Sequence, residues 1–469
     1  MIGSCGSASA RRWLLLVGGA FAIASPLAVS LRRAPSWDES IYLSQVAHGA
    51  VALPFAASRA RGIVLLIAPI AFLGASGAVI RTFLTLVSAA GLVGAFGLWV
   101  PAVGEAAALA GFLFGFSWLG LFYASGIMPN LWSALLCVGT VGAFAADLDS
   151  HSDRPSWRSP TLLALTGVFR PADALVVAAG IVVFVFVSRR DAVAKLVPIA
   201  IALVLGWVPW LIEMSVRFGG PLQALRAGGS TGHLTFRGIG DRLLQQAALT
   251  DGPTLGPVSH PTVPLLGALW WGGLVVLTSV AFLRPHGRVR AQAPLRLAAL
   301  VGAFLAVEYL VFVSGLAPRF LLPAYGLLSV PSAAGLLALR RGSAIARALG
   351  VAAVALLMVW SVAQLTVARR VGSSEAIQEA HLQALGSEVR SLAAARPCLV
   401  ASSNGFPEVA FAAGCNGRQL TKVDGRALAA LRSEVASPGL VFILTRFPIA
   451  SLSPGTAPLH GWHLYEQAT

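Results

Sequence analysis

Charge is what this chain has least of. Only 11% of its 469 residues are Asp, Glu, Lys or Arg, against 57% apolar, where a soluble domain carries about 25% charged residues. An ordinary soluble protein is thereby excluded. Lysine occurs only at Lys195 and Lys422. Four cysteines are too few for a disulfide-built scaffold. There is no nucleotide phosphate loop and no dinucleotide fingerprint leading into a soluble fold. No complete metal-ligand motif is visible. The net charge of +15 would suggest nucleic acid in a soluble protein. Here the arginines cluster between apolar segments, the positive-inside pattern, so no nucleic-acid partner is expected.

What is present is long apolar sequence. Mean hydropathy is +0.78, and runs of about 20 apolar residues recur, the length that crosses a bilayer as helix. Eleven spanning helices are expected, at 13–31, 62–80, 82–100, 104–123, 129–147, 163–187, 193–211, 263–283, 297–315, 320–339 and 344–366. The first lies between Arg11–Arg12 and Arg32–Arg33 without a clear small-residue cleavage site, and reads as an uncleaved anchor. With the N-terminus in the cytosol, Arg81, Ser188–Lys195, Arg284–Arg296 and Arg340–Arg347 fall inside. The outer face then receives the 32–61 loop, a short loop with Asp147, Asp149 and Asp153, the 212–262 loop and the chain after 366. Within 32–61, ESIYLSQVAHGAV has near-helical apolar spacing and is expected to lie on the membrane surface. Arginine in place of lysine fits GC-rich bacterial coding, hence a multi-pass protein of the bacterial inner membrane.

After residue 366 the pattern changes. CLVASSNG and GLVFILTR read as buried strands, PEVAFAAGC and GRALAALRSEVAS as helices. The expected fold is an all-α polytopic membrane domain over 1–366 with a small extracytoplasmic α/β domain over 367–469. Exported, Cys398 and Cys415 either bridge or stay two buried thiols; Cys5 and Cys137 are expected to be unpaired.

In so apolar a chain the adjacent acids Asp38 and Glu39, just past the first helix, stand out, because acids there must pair, bind metal or do chemistry. Asp38 and Glu39 also fit the first turn of a helix, as cap and as favourable charge. Arg170 interrupts an apolar run beside Pro171 and Asp173, so it should face a protein interior or aqueous cavity, with a pair to Asp173 or a bound sugar or phosphate as its roles. Pro171 is placed to interrupt the helix. Glu308 needs an arginine partner in its apolar helix.

The segment RRAPSWDESIYLSQVAHG is similar to the opening of the GT-C glycosyltransferases, integral-membrane enzymes that use polyprenyl-phosphate sugars. More narrowly it resembles the branch of protein O-mannosyltransferases and the aminoarabinose transferase that modifies lipid A. RARGIVLLIAPIAFLGASGAVIRTFLTL, ALTGVFRPADALVV and APRFLLPAYGLLSV resemble later segments of that family in order and spacing, over roughly residues 10–340. The resemblance implies a catalytic acid at Asp38 with Glu39 beside it. It also implies a basic residue before the second helix, at Arg59 or Arg61, although the usual lysine-proline-proline run is missing. A phosphate role for Arg319 follows from its family-like context. Guanidinium groups suit bidentate phosphate binding, so Arg59, Arg61, Arg170 and Arg319 are the candidate ligands of the donor phosphate. Interface anchoring is the alternative for Arg59, Arg61 and Arg319.

Tyr42, Glu213, His233 and His260 are candidate acceptor contacts. Tyr42 equally fits packing, and the two histidines lie too far apart to form a close-spaced metal set. Some family relatives use a divalent metal near the donor phosphate, so a Mg2+ or Mn2+ requirement stays open. The implied activity is transfer of a monosaccharide from a polyprenyl-phosphate donor to a hydroxyl of a glycan, glycolipid or protein at the outer face, by direct inverting displacement. A polytopic lipid or solute transporter and a non-catalytic membrane scaffold are the rival readings.

Overall fold

The computed structural model describes residues 3–149, 156–188, 190–228, 239–249, 265–283, 292–313, 317–340, 343–420, 430–431, 433–435, 439–446 and 462–468. α1 (Gly3–Ala28) leads into the first loop, where α2 (Trp37–Ser44) starts at an extended Ser36. Glu39, three residues on, accepts the Ser36 backbone N–H at 3.0 Å, the reciprocal half of a capping box. Asp38 therefore stands inside the first turn and does not cap it. Glu39 to Ser44 are all buried, so α2 is wedged into protein, not laid on a membrane surface as its apolar spacing suggested.

α3 (Gly62–Phe72) and α4 (Gly77–Gly97) replace the expected spans 62–80 and 82–100. Eleven helical residues cover about 16 Å, short of the roughly 30 Å hydrocarbon core. The chain turns at Gly74, with φ +76°, and Ser76 caps α4 through the Val79 N–H. Arg81 then lies against the first loop, donating to Glu39 at 2.7 and 2.9 Å. Segment 62–80 thus does not cross, and Arg81 sits on the face of the first loop, not the opposite one. A buried acid had turned a structural arginine into a false topology signal.

α5 (Val100–Val103) precedes α6 (Ala106–Gly115) and α7 (Trp118–Tyr123), which together occupy the expected helix 104–123. The break comes at Ser117, whose Oγ accepts the Gly120 N–H at 3.1 Å and starts a new helix. A Cβ on Gly120 would lie 2.6 Å from the Gly115 carbonyl oxygen, so the turn requires glycine. The Ser125 carbonyl then reaches Arg81 at 3.2 Å.

α8 (Pro129–Asp149) runs away from that face. α9 (Arg158–Phe169) and α10 (Pro171–Ser188) form a hairpin where one helix, 163–187, was expected. Its tip is Arg170, extended at φ −152° and ψ 97°, because the proline ring disfavours the α conformation in the preceding residue. At the far end Ser159 Oγ donates to the Thr140 carbonyl at 3.0 Å, and Lys195 donates to the carbonyl of Asp147. Asp147 therefore lies at the Lys195 end, not on the first-loop face.

α11 (Leu196–Phe218), α12 (Pro221–Gly228), α13 (Ile239–Leu249) and α14 (Leu265–Leu283) follow. His233 and His260 lie outside the described residues. α15 (Gln292–Val307) ends in a π turn, Glu308–Phe312. A short 3₁₀ turn, Pro318–Leu321, opens α16 (Leu322–Arg340), which packs on α14 and α15 in the centre of the bundle. α17 (Ala344–Ala393) is a single helix of 50 residues, about 75 Å long. It was expected to stop at 366; beyond the apolar run the sequence stays rich in Ala, Leu, Glu, Gln and Arg, all good helix formers. Among the described residues seven helices are long and apolar enough to cross a membrane, and Gly62–Phe72, Ala106–Gly115 and Leu269–Leu283 are apolar but shorter. The protein is a polytopic α-helical membrane protein.

α17 carries the C-terminal unit. β1 (Cys398–Ser402), α18 (Phe406–Ala413), β2 (Asn416–Gln419), β3 (Leu440–Thr445) and β4 (His463–Ala468) form a sheet of order β2-β1-β3-β4 with α18 on it. β1 is parallel to β2 and β3, pairing Val400 with Gly417 and with Phe442; β4 is antiparallel to β3. Cys398 and Cys415 are bonded, with Cα atoms 5.0 Å apart, and Cys137 is free and buried. α18 packs on α17 and α2, Trp37 meets Phe406 edge-on at 5.0 Å, and a Cβ on Gly417 would lie 2.9 Å from Leu53. The first loop is thus held between the helical bundle and the sheet.

Candidate active site

The first loop, the hairpin tip and the start of α16 converge on Asp38. Its carboxylate pairs with Arg59 through Oδ1 and with Arg319 through Oδ2, the latter at 3.2 Å. Burial alone would raise its pKa; the Arg319 and Arg59 charges overcome this and hold it below the usual carboxylate range. Asp38 is 22% exposed, Arg59 17% and Arg319 19%, so a ligand can reach all three. Tyr42 forms the floor, stacked edge-on with Phe55 at 5.8 Å and 5.9 Å beneath the Arg59 guanidinium. Burial, with Asp38 beside it, pushes the Tyr42 phenol up to about 12, so it stays a neutral hydroxyl.

Arg170 joins the same group from the hairpin tip. Its guanidinium lies 5.3 Å over the Phe320 ring, and that of Arg319 lies 5.1 Å over it. Arg170 pairs with Asp173 at 3.6 Å, as its place beside Pro171 suggested. Asp173 is fully buried and accepts from Ser133 and Tyr309. The π turn at the end of α15 presents Tyr309 here. Arg170 Nη1 and Arg319 Nε are buried without an acceptor. Three guanidiniums, those of Arg59, Arg170 and Arg319, thus face two carboxylates, with donors unmet. Glu308 Oε2 is also buried and unmatched.

Glu39 occupies a different place. It is fully buried and bound to Arg33 at 3.0 Å and Arg81 at 2.7 Å, and it accepts the backbone N–H of Ile127 at 2.9 Å. Burial would raise its pKa; Arg33 and Arg81 carry it far below the ordinary range. Arg33 continues to Glu379 of α17 at 2.7 Å. Arg61 and Glu213 are paired with each other at 2.7 Å; Arg61 also donates to Gln45 at 3.0 Å and lies 4.0 Å over Phe55. This pair ties the outer part of α11 to the first loop, beside the Asp38 group and separated from it by Phe55 and Tyr42.

A cavity of about 600 Å³ opens above Asp38, between α2, Arg319, α17 and the C-terminal sheet. Sequence reasoning missed its far wall, including Tyr123, Glu375, Glu408, Arg446 and Trp462. The wall is assembled from segments far apart in the chain, and no local pattern marks them. Among the described residues no group of three or more His, Cys, Asp and Glu side chains is arranged to hold a metal ion.

Compared by sequence, the chain matches no protein-family model and no curated protein. By structure it is similar to ArnT from Cupriavidus metallidurans bound to undecaprenyl phosphate, 13% identical over 97% of this chain and 98% of that one, with a TM-score of 0.66. The apo state of the same protein gives 12% identity, 98% of each chain and 0.66. The apo oligosaccharyltransferase of Archaeoglobus fulgidus gives 13% identity over 92% of this chain and 69% of that one, with a TM-score of 0.55. At such identity the likeness is one of fold alone.

Proposed function

We propose that the protein transfers a monosaccharide from a polyprenyl-phosphate donor to a hydroxyl acceptor at the outer face of a bacterial inner membrane. The observation that carries this reading is the meeting of Asp38 with Arg59 and Arg319, with Arg170 alongside, below a cavity and at the edge of the helical bundle. A lipid phosphate lying at that edge supplies the acceptors that the unmet guanidinium donors lack. The undecaprenyl phosphate in the structurally similar ArnT supports the choice of lipid.

The chemistry follows from the charges. Ionised Asp38 accepts a hydrogen bond from the acceptor hydroxyl and orients it toward the anomeric carbon. Arg59 and Arg319 are shared between Asp38 and the donor phosphate. As the C–O bond to phosphate breaks, negative charge grows on the leaving oxygen and draws the guanidiniums toward it. Asp38, partly released from its counter-charges, becomes the stronger base when the hydroxyl must lose its proton. Arg170 adds charge at the leaving side, and direct displacement inverts the anomeric centre. A Mg2+ or Mn2+ ion would supply the same stabilisation of phosphate charge, so transfer with EDTA against transfer with either ion measures whether a cation takes part.

The test uses membranes containing wild type or Asp38→Asn, radiolabelled polyprenyl-phosphate sugars and native acceptor extract. Transfer by wild type and its loss in the folded variant are expected. Equal transfer by both removes Asp38 from the reaction. Movement of the labelled lipid between leaflets without sugar transfer favours a flippase instead.

A further inference from the structure

The cavity above Asp38 has an acidic wall that glycosyl transfer in general does not require. Five carboxyl groups line it, those of Asp38, Glu39, Glu375, Glu379 and Glu408. Only three guanidiniums do, and each is engaged: Arg33 with Glu39 and Glu379, Arg319 with Asp38, and Arg446 stacked 4.2 Å over Trp462. Arg59 and Arg81, behind the lining, also hold Asp38 and Glu39, so the carboxyls with the fewest partners are Glu375 and Glu408, on the side built by α17 and α18. Glu408 is only 8% exposed and Glu379 3%, yet Oε2 of each has no hydrogen-bond donor. A buried carboxyl oxygen left without a donor is unfavourable unless a ligand supplies one. Burial, with Asp38 and Glu375 adding to it, pushes Glu408 up to about 7.

We propose that this cavity is the acceptor subsite and that it takes a neutral or ammonium-bearing glycan, whose hydroxyls donate to Glu408 and, at the mouth, bond to Asn404. The proposal rests on the glycosyl-transfer reading and names its acceptor class. A cavity rich in acceptors matches a ligand rich in donors. A sugar ring offers several hydroxyls, whereas a peptide brings one N–H per residue and a carbonyl that the acidic wall disfavours. Carboxyl oxygens on this wall would face any phosphate or carboxylate on the ligand, so neutral glycans fit it better. Trp37 and Trp462 line the same space, and indole packs well against the C–H face of a sugar. The division of labour is electrostatic: arginines from the helical bundle receive the donor phosphate, and carboxyls from α17 and α18 receive the acceptor.

The experiment measures binding of neutral hexose and pentose oligosaccharides, the same glycans bearing phosphate or carboxylate, and a Ser/Thr peptide to the purified full chain in detergent. Neutral glycans should bind best. Glu408→Ala should weaken them about tenfold, and Asn404→Ala about threefold. Asn404 is exposed, so its variant decides the matter if Glu408→Ala does not fold. Preference for anionic glycans or for the peptide, or binding by both variants equal to wild type, overturns the proposal. Retention of tritiated undecaprenyl phosphate by the same preparations separates the two readings. Lipid retained while glycan binding ignores both residues sinks only the acceptor subsite. Glycan bound through Glu408 with no lipid retained leaves a glycan site but sinks the transfer reading, and with it the acceptor role.

Discussion

Asp38 and Glu39 are adjacent, share one helical turn and both face two arginines, yet their surroundings are opposites. Glu39 is sealed: at 0% exposure its oxygens are taken by Arg33, Arg81 and two backbone N–H groups. Asp38 is open at 22%, and its arginines come from the far side of the loop and from the start of α16. Side chains on successive residues of a helix point about 100° apart, so one looks into the bundle and the other toward the cavity. Arginine company by itself does not mark a reacting acid. A fully satisfied, buried network holds elements together, and an accessible one can exchange a partner for a ligand.

The sharpest way to break this contrast is Glu39→Ala, which leaves Arg33 and Arg81 buried without their shared acid. The expected cost is about 3–5 kcal/mol, seen as loss of monodisperse protein on size exclusion. Recovery at wild-type yield would mean that the sealed site holds nothing. Asp38→Asn should do the reverse: about 100-fold or more off transfer, with a smaller loss of thermal stability than Glu39→Ala. The pH dependence should follow. Asp38 is held below its unfolded value of about 3.9, so its ion pairs are complete above that pH and are lost as pH falls through the lowered folded pKa. The acid limb of transfer attributable to Asp38 should therefore lie below about pH 4; a limb near neutrality would assign it to another group.

Replacing Cys398 and Cys415 together by Ser removes a bond across 17 residues. It should destabilise the C-terminal sheet by about 3 kcal/mol, read by limited proteolysis, while leaving retention of lipid phosphate intact. The smallest effect is expected at the Arg61–Glu213 pair. Arg61 is 28% exposed, so Glu213→Gln should cost no more than about 1 kcal/mol. A larger loss would place that pair with the sealed network.

Much of the bundle was legible because apolar run length and proline are local signals. The Pro171 interruption was readable in this way, as was the Arg170–Asp173 pair. The hairpin it produces was not, because a break and a reversal look alike in sequence. Arg81 misled for a related reason: a charge between apolar runs looks the same whether water or Glu39 receives it. α17 was cut short because hydropathy falls at 366 while helix propensity does not. In the C-terminal unit β1, β3 and α18 were visible as apolar runs, whereas β2, NGRQ, has no strand-like composition and is a strand only because β1 pairs with it.

By itself, then, the sequence determined that the chain lies in a membrane, that a small α/β unit follows the helices, and that Asp38, Glu39 and Arg170 stand out in an apolar chain, while the grouping of Asp38 with Arg59, Arg61, Arg170 and Arg319 came from the family resemblance. Those conclusions depend on hydrophobicity, chain stiffness and the cost of charge in an apolar chain, which act residue by residue. Only the tertiary structure decided which acid is sealed and which is open, which segments turn back, and that α17 and α18 bring an acidic wall to face the arginines. These depend on which surfaces exclude water from one another, and that is set by contacts between residues far apart in the chain.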